Sequence, residues 1–140
     1  MVSLTLELKQ PPYGFEATDG SGNALRFDNS PAHGGGNYGV SPMQSVLMAL
    51  AGCSGIDVVS ILAKMRQELT GYRMVITGER EKDKVPALWE KVHLHFHLQG
   101  TIEEEKAKQA IILSIDKYCS VAETLRRAGC TITWEVSINK

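Results

Sequence analysis

The segment from Pro42 to Ala63 constrains this chain more than any other feature. It alone approaches the roughly 18 charge-free apolar residues that a membrane-spanning helix needs, and it is broken by Gln44, Asp57, several serines and two glycines. It reads as a buried core helix. Ser41 stands at the N-cap and Pro42 at the first helical position, where the missing N–H costs nothing. Val46, Leu47, Leu50, Cys53, Ile56, Val58, Ile61, Leu62 and Met65 place apolar groups around nearly the whole circumference, which predicts that the middle of the helix is covered on all sides. Polarity returns at Lys64, Arg66, Gln67 and Glu68, and Gly71 is the expected stop.

The flanks alternate with a period of two. Leu4, Leu6 and Leu8 share one strand face against Thr5, Glu7 and Lys9, and Pro11-Pro12 ends the run. Tyr13 to Thr18 and Ala24 to Asp28 follow as two short strands around the turn-forming Asp19-Gly20-Ser21-Gly22-Asn23. The chain thus opens with a β-meander, and Ser30 to Ser41, rich in glycine, is expected as a loop. Beyond the helix, Arg73 to Glu79 and Glu90 to Gln99 read as a second hairpin. Thr101 with Glu104, and Ser120 with Glu123, have capping-box spacing, predicting one helix to about Lys117 and a short one over Val121 to Ala128 that stops at Gly129. Ile132, Trp134, Val136 and Ile138 then alternate as a closing strand. The order βββ-α-ββ-αα-β is α+β, without a Rossmann or P-loop glycine signature.

At 140 residues, with 15 Lys+Arg against 16 Asp+Glu, the chain is expected as a single domain over 1–140 with a core of its own. Scattered, nearly balanced charge excludes nucleic-acid binding and polybasic membrane attachment as main functions. The start, MVSLTLELKQ, lacks a secretory signal, so the cytoplasm is the expected location. Cys53, Cys119 and Cys130 form no CxxC pair and no zinc pattern; an odd number in a reducing compartment argues against a disulfide framework and leaves thiol chemistry open.

Cys53 sits mid-helix among Ala49, Ala51, Gly52, Ser54 and Gly55, which thin the helix enough for a small substrate or another backbone to reach the sulfur. The alternative is a small buried residue in a tightly packed helix. Cys119 lies one residue before Ser120, at the mouth of the predicted short helix, where backbone N–H dipoles favour a thiolate. Cys130, beside Gly129, is assigned to packing.

With these residues in view, the chain resembles the OsmC/Ohr-like proteins over nearly its whole length. The likeness is carried by Ser41-Pro42, the apolar helix through Ala51-Gly52-Cys53, the Asp57-Val58-Val59 continuation, and Tyr118-Cys119-Ser120-Val121-Ala122. It looks more like the less characterised OsmC-like branch than the organic hydroperoxide resistance proteins proper. The resemblance implies an OsmC-like fold, an intertwined homodimer with two sites at its interface, and thiol-based reduction of organic hydroperoxides in oxidative or osmotic stress, with no cofactor or metal. Carried over, Cys53 is the peroxidatic residue, Cys119 resolves it into a disulfide, and a dithiol reductant restores both thiols.

Activation of Cys53 is the open step. The hydroperoxide-reducing members use an Arg from an N-terminal segment, held by a Glu just after the helix-start Pro. Here Met43 and Gln44 occupy those helix positions, and no Arg precedes Arg26. Gln44 can orient a donor but cannot form an ion pair. Arg26 is the candidate cation, against a plain solvent-facing strand position, and His33 in the glycine-rich loop is a further candidate. His93, His95 and His97 share one strand face and are assigned to a hydrated sheet surface rather than a metal site. Trp134, Phe96 and Tyr118 are assigned to core or dimer contacts, with Tyr118 also able to wall a pocket. The rival function is a non-catalytic small-ligand-binding protein with a degenerate site.

Overall fold

Alternation at the N-terminus builds strand β1 (Thr5–Gln10), which pairs antiparallel with β2 (Gly14–Thr18); β2 pairs in turn with β3 (Ala24–Phe27). The register aligns Leu6, Ala17 and Leu25 across the sheet, and beside them Leu8, Phe15 and Phe27, so one face is continuously apolar. The computed structural model describes all 140 residues in two compact units, Met1–Val46 and Leu47–Lys140.

In the first unit the turn after β2 is organised by Asp19, whose carboxylate accepts the backbone N–H groups of Ser21 and Asn23, both at 2.9 Å, while Gly22 adopts φ +88°. The segment expected as a bare loop contains a 3-10 turn, Pro31–His33, and is gathered by buried Asp28. That carboxylate accepts the N–H groups of Asn29, Gly36 and Tyr38, at 2.7, 3.0 and 3.0 Å, and these bonds hold it below the usual carboxylate range.

Helix α1 (Pro42–Lys64) starts as anticipated, with the Ser41 hydroxyl accepting the Gln44 N–H at 3.3 Å. It ends one to two turns earlier than Gly71. Arg66 takes the left-handed conformation (φ +58°), and the N–H groups of Arg66 and Gln67 donate to Ala63 and Leu62, closing the helix with a Schellman-type turn on a residue that carries a side chain. Gly71 lies instead inside strand β4 (Glu68–Arg80), opposite Gln99, where an added Cβ would stand 2.9 Å from the Gln99 amide oxygen. The expectation of cover on all sides also fails. Leu47, Leu50, Ser54, Gly55, Val58 and Leu62 are buried, whereas Met48, Ile56 and Val59 are exposed, Ile56 at 72%. By length and composition α1 is the one helix apolar enough to cross a membrane.

β4 pairs antiparallel with β5 (Trp89–Thr101), and β5 pairs parallel with β6 (Thr131–Asn139). A parallel pair requires a crossover, here helix α2 (Glu104–Leu113), a π-helical turn (Ser114–Tyr118) and helix α3 (Ser120–Arg127). Val92, Leu94, Phe96 and Leu98 form the buried face of β5, beside Ile132, Trp134, Val136 and Ile138 of β6.

The capping readings need correction. Thr101 is the last residue of β5, and Glu103 stands at the α2 N-cap with no side-chain cap bond, so Thr101 with Glu104 is not a capping box. The helix expected to reach Lys117 is α-helical only to Leu113, and the π-turn finishes it. At α3 the cap is Cys119 and not Ser120.

Candidate functional site

The thiol pair is assembled inside the second unit by α1 and the crossover. Cys53 faces out of the buried side of α1 and is half-buried; Asp57 follows one turn later on the same helix face. Cys119 reaches them from the junction of the π-turn and α3. Its N–H donates to Ser114 O at 2.7 Å, closing the π-turn, and its sulfur accepts the Ala122 N–H at 3.4 Å as the α3 cap. The Cys53 sulfur, the Cys119 sulfur and an Asp57 carboxylate oxygen all lie within 4.8 Å of one another.

Ser114 fixes this group from behind. Fully buried, it donates its hydroxyl to Asp57 Oδ2 at 2.9 Å and lies 3.5 Å from the Ser54 carbonyl. The π-turn is what aims it: the wider turn begins at Ser114 and ends on Cys119, so one local distortion positions both the sulfur and the group that orients the carboxylate.

Cys119 is 3% exposed. Burial pushes its thiol up to about 11; the Ala122 N–H opposes that shift and the adjacent Cys53 adds to it. The expected thiolate-favouring effect of the helix start is therefore present but outweighed, because the N–H groups of Ala122 and Val121 do not replace the hydration that burial removes. Burial likewise raises the thiol of Cys130, whose sulfur has only the Thr131 carbonyl within reach, at 3.8 Å.

Beside Cys53, α1 is thin. Nothing lies within 4 Å of a Cβ added at Gly52, while one at Gly55 would meet the Tyr72 hydroxyl oxygen at 3.6 Å and its ring carbons at 3.7 Å. Ala51, Gly52, Gly55, Ile56 and Val59 form, with Tyr72 and Met74 of β4, a shallow, mainly apolar depression. The Tyr72 hydroxyl is buried without a hydrogen-bond partner, and burial raises its pKa.

The supporting candidates lie in the first unit. Arg26, on β3, faces Glu16 at 3.5 Å and the Tyr38 ring at 4.9 Å. His33 Nδ1 shares a 2.6 Å hydrogen bond with the Ser30 hydroxyl, and Gln44 is exposed in the first turn of α1. On the outer face of β5, His93 is held between Thr133 and Glu135, both at 2.7 Å, and His95 bonds Ser137 at 2.8 Å while stacking on His97 at 3.9 Å. Tyr118 is 52% exposed in this chain, with Lys117 over its ring, so it fills no core position.

Sequence reasoning missed Asp57 and Ser114 as parts of the site. A signal for Asp57 was present, since Cys53 and Asp57 are four apart and share a helix face. None existed for Ser114, which lies 57 positions away from Asp57.

Residues 34–135 match the family model described as OsmC-like protein. Protein YhfA of Escherichia coli K12 is 39% identical over 124 residues, covering 87% of this chain and 89% of that protein. A hypothetical protein from Aquifex aeolicus has the same fold, with a TM-score of 0.82, 30% identity, and coverage of 100% of this chain and 98% of its own. An organic hydroperoxide resistance protein from Elizabethkingia anophelis shares the fold at TM-score 0.73 and 14% identity, covering 99% and 96% of the two chains. The chain therefore belongs to the OsmC-like protein family.

Proposed function

We propose that this protein reduces organic hydroperoxides with its Cys53–Cys119 pair. The Cys53 thiolate attacks the distal peroxide oxygen, the O–O bond breaks, and the alkoxide leaves to take a proton as the alcohol. Cys53 is then a sulfenic acid. The Cys119 thiol attacks that sulfur, a disulfide forms and water leaves; an external dithiol reduces the disulfide and is itself oxidised. The observation that carries this reading is the approach of two free thiols to within 4.8 Å, one half-buried and one buried. Fold neighbours named as organic hydroperoxide resistance proteins support it from outside the chain.

One equivalent of alkyl hydroperoxide is expected to remove two of the three thiols per chain. The second loss is expected to speed up as the pH rises above neutral, because burial keeps the Cys119 thiol mostly protonated there. Stopped-flow thiol counting with mass mapping of the Cys53–Cys119 link measures both. Retention of all three thiols selects the rival reading, a small-ligand-binding protein.

The chain is further proposed to work as a homodimer in a reducing cytoplasm, where three unpaired thiols persist. Two exposed apolar surfaces support association: Leu6, Leu8 and Leu25 on the first sheet, and Met48, Ile56 and Val59 on α1. Sedimentation is expected to give twice 15.4 kDa. Ile56→Glu weakens the dimer about 10²-fold or more, since each of two buried isoleucines contributes roughly 1.5–3 kcal/mol. A wild-type monomer at every concentration overturns the assembly.

A further inference from the structure

We propose that Cys53, Asp57 and Cys119 form a binding site for a thiophilic divalent cation of the zinc type. The reduced protein takes up the ion and the Cys53–Cys119 disulfide excludes it. The inference does not rest on the peroxidase reading, because it needs only the reduced thiols.

Donor chemistry is the first argument. Two sulfurs and one carboxylate oxygen lie within 4.8 Å of one another, and three protein ligands with a fourth position open to solvent is a common arrangement for zinc. Zn–S bonds of about 2.3 Å in a tetrahedron set sulfurs roughly 3.8 Å apart, so closing the triad needs movement of about 1 Å or less. Thiolates select soft and borderline ions and reject calcium and magnesium, which demand oxygen shells.

The second argument is support behind the ligands. Metal-bound carboxylates are normally held by an outer hydrogen bond, and Ser114, wholly buried, already donates one to Asp57 Oδ2 at 2.9 Å. Cys119 is similarly held by the Ala122 N–H.

Charge is the third. Two thiolates and one carboxylate within 4.8 Å bring three negative charges together, and a divalent ion bound among them neutralises two. Binding balances as one divalent ion plus two thiols and one carboxylate giving a complex of charge −1 and two protons released to solvent.

The test uses the full-length reduced protein and Cd²⁺ or Zn²⁺ alone, in buffer free of other thiols. Cd²⁺ is expected to bind one per chain, with thiolate-to-cadmium charge-transfer absorption in the ultraviolet, and Zn²⁺ uptake to release two protons. Asp57→Asn and Ser114→Ala each weaken binding about tenfold or more with the circular dichroism of the wild type retained, Cys130→Ser leaves it unchanged, and the oxidised protein binds none. Affinity no better than that of a free dithiol, binding that needs Cys130, or Asp57→Asn and Ser114→Ala both matching wild type would overturn the site. Peroxide consumption measured separately with a strong chelator present reports on the peroxidase reading alone, so the two fail independently.

Discussion

Cys53→Ser is expected to lower the rate of alkyl hydroperoxide reduction on the order of 10³-fold or more, since the attacking atom itself is replaced by a hydroxyl that is almost entirely protonated at neutral pH. Cys119→Ser should behave differently. It leaves the attack intact, and the Cys53 sulfenic acid, deprived of a thiol within 4.8 Å in the reduced protein, accumulates and is trapped by dimedone. Progress curves under excess dithiol, with mass spectrometry of the trapped adduct, separate the two variants. Equal rates for Cys53→Ser and wild type would remove the peroxidatic role. A sulfenic acid on Cys119 in place of Cys53 would exchange the roles, an outcome disfavoured here because Cys119 is buried and its thiol titrates high.

The second large effect concerns the core beneath the site. Phe96→Ala is expected to cost about 3–5 kcal/mol of folding stability, through lost transfer energy and the cavity left behind. Phe96 is fully buried on β5, and its ring meets Tyr72 edge-to-face at 6.2 Å. Tyr72 in turn lies against Gly55, two residues from Cys53, so the cavity also loosens the support of that turn of α1. Urea unfolding measures the loss, with Ile112→Ala, which truncates a half-exposed side chain, as a control expected to cost less than about 1 kcal/mol. A loss for Phe96→Ala no larger than the control would mean that the sheet is not the core of this unit.

Much of the fold was legible because its signals are local. Period-two alternation located the first and last strands, turn residues marked the hairpins although β4 begins at Glu68 and not Arg73, and Ser41-Pro42 marked where α1 begins, since each depends only on residues a few positions apart. The errors share a cause. Gly71 looked like a helix stop, but the chain turned at Arg66 with the Schellman-type bonds that close the helix, and the glycine served close approach to Gln99 instead. Ser120 looked like a cap, but the π-turn advanced Cys119 into that position. In each case propensity was decided by packing around the segment.

By itself the sequence determined the alternating strands, the apolar α1 and two cysteines in family-matching surroundings, because hydrophobic period and motif identity are written in short windows. Only the tertiary structure decided that Cys53 and Cys119 meet, that a carboxylate stands beside them, and that a buried serine holds it. Those contacts join α1 to a crossover 57 to 66 positions away. They exist because the parallel pairing of β5 with β6 folds that crossover back onto the helix, a long-range constraint that no local pattern encodes.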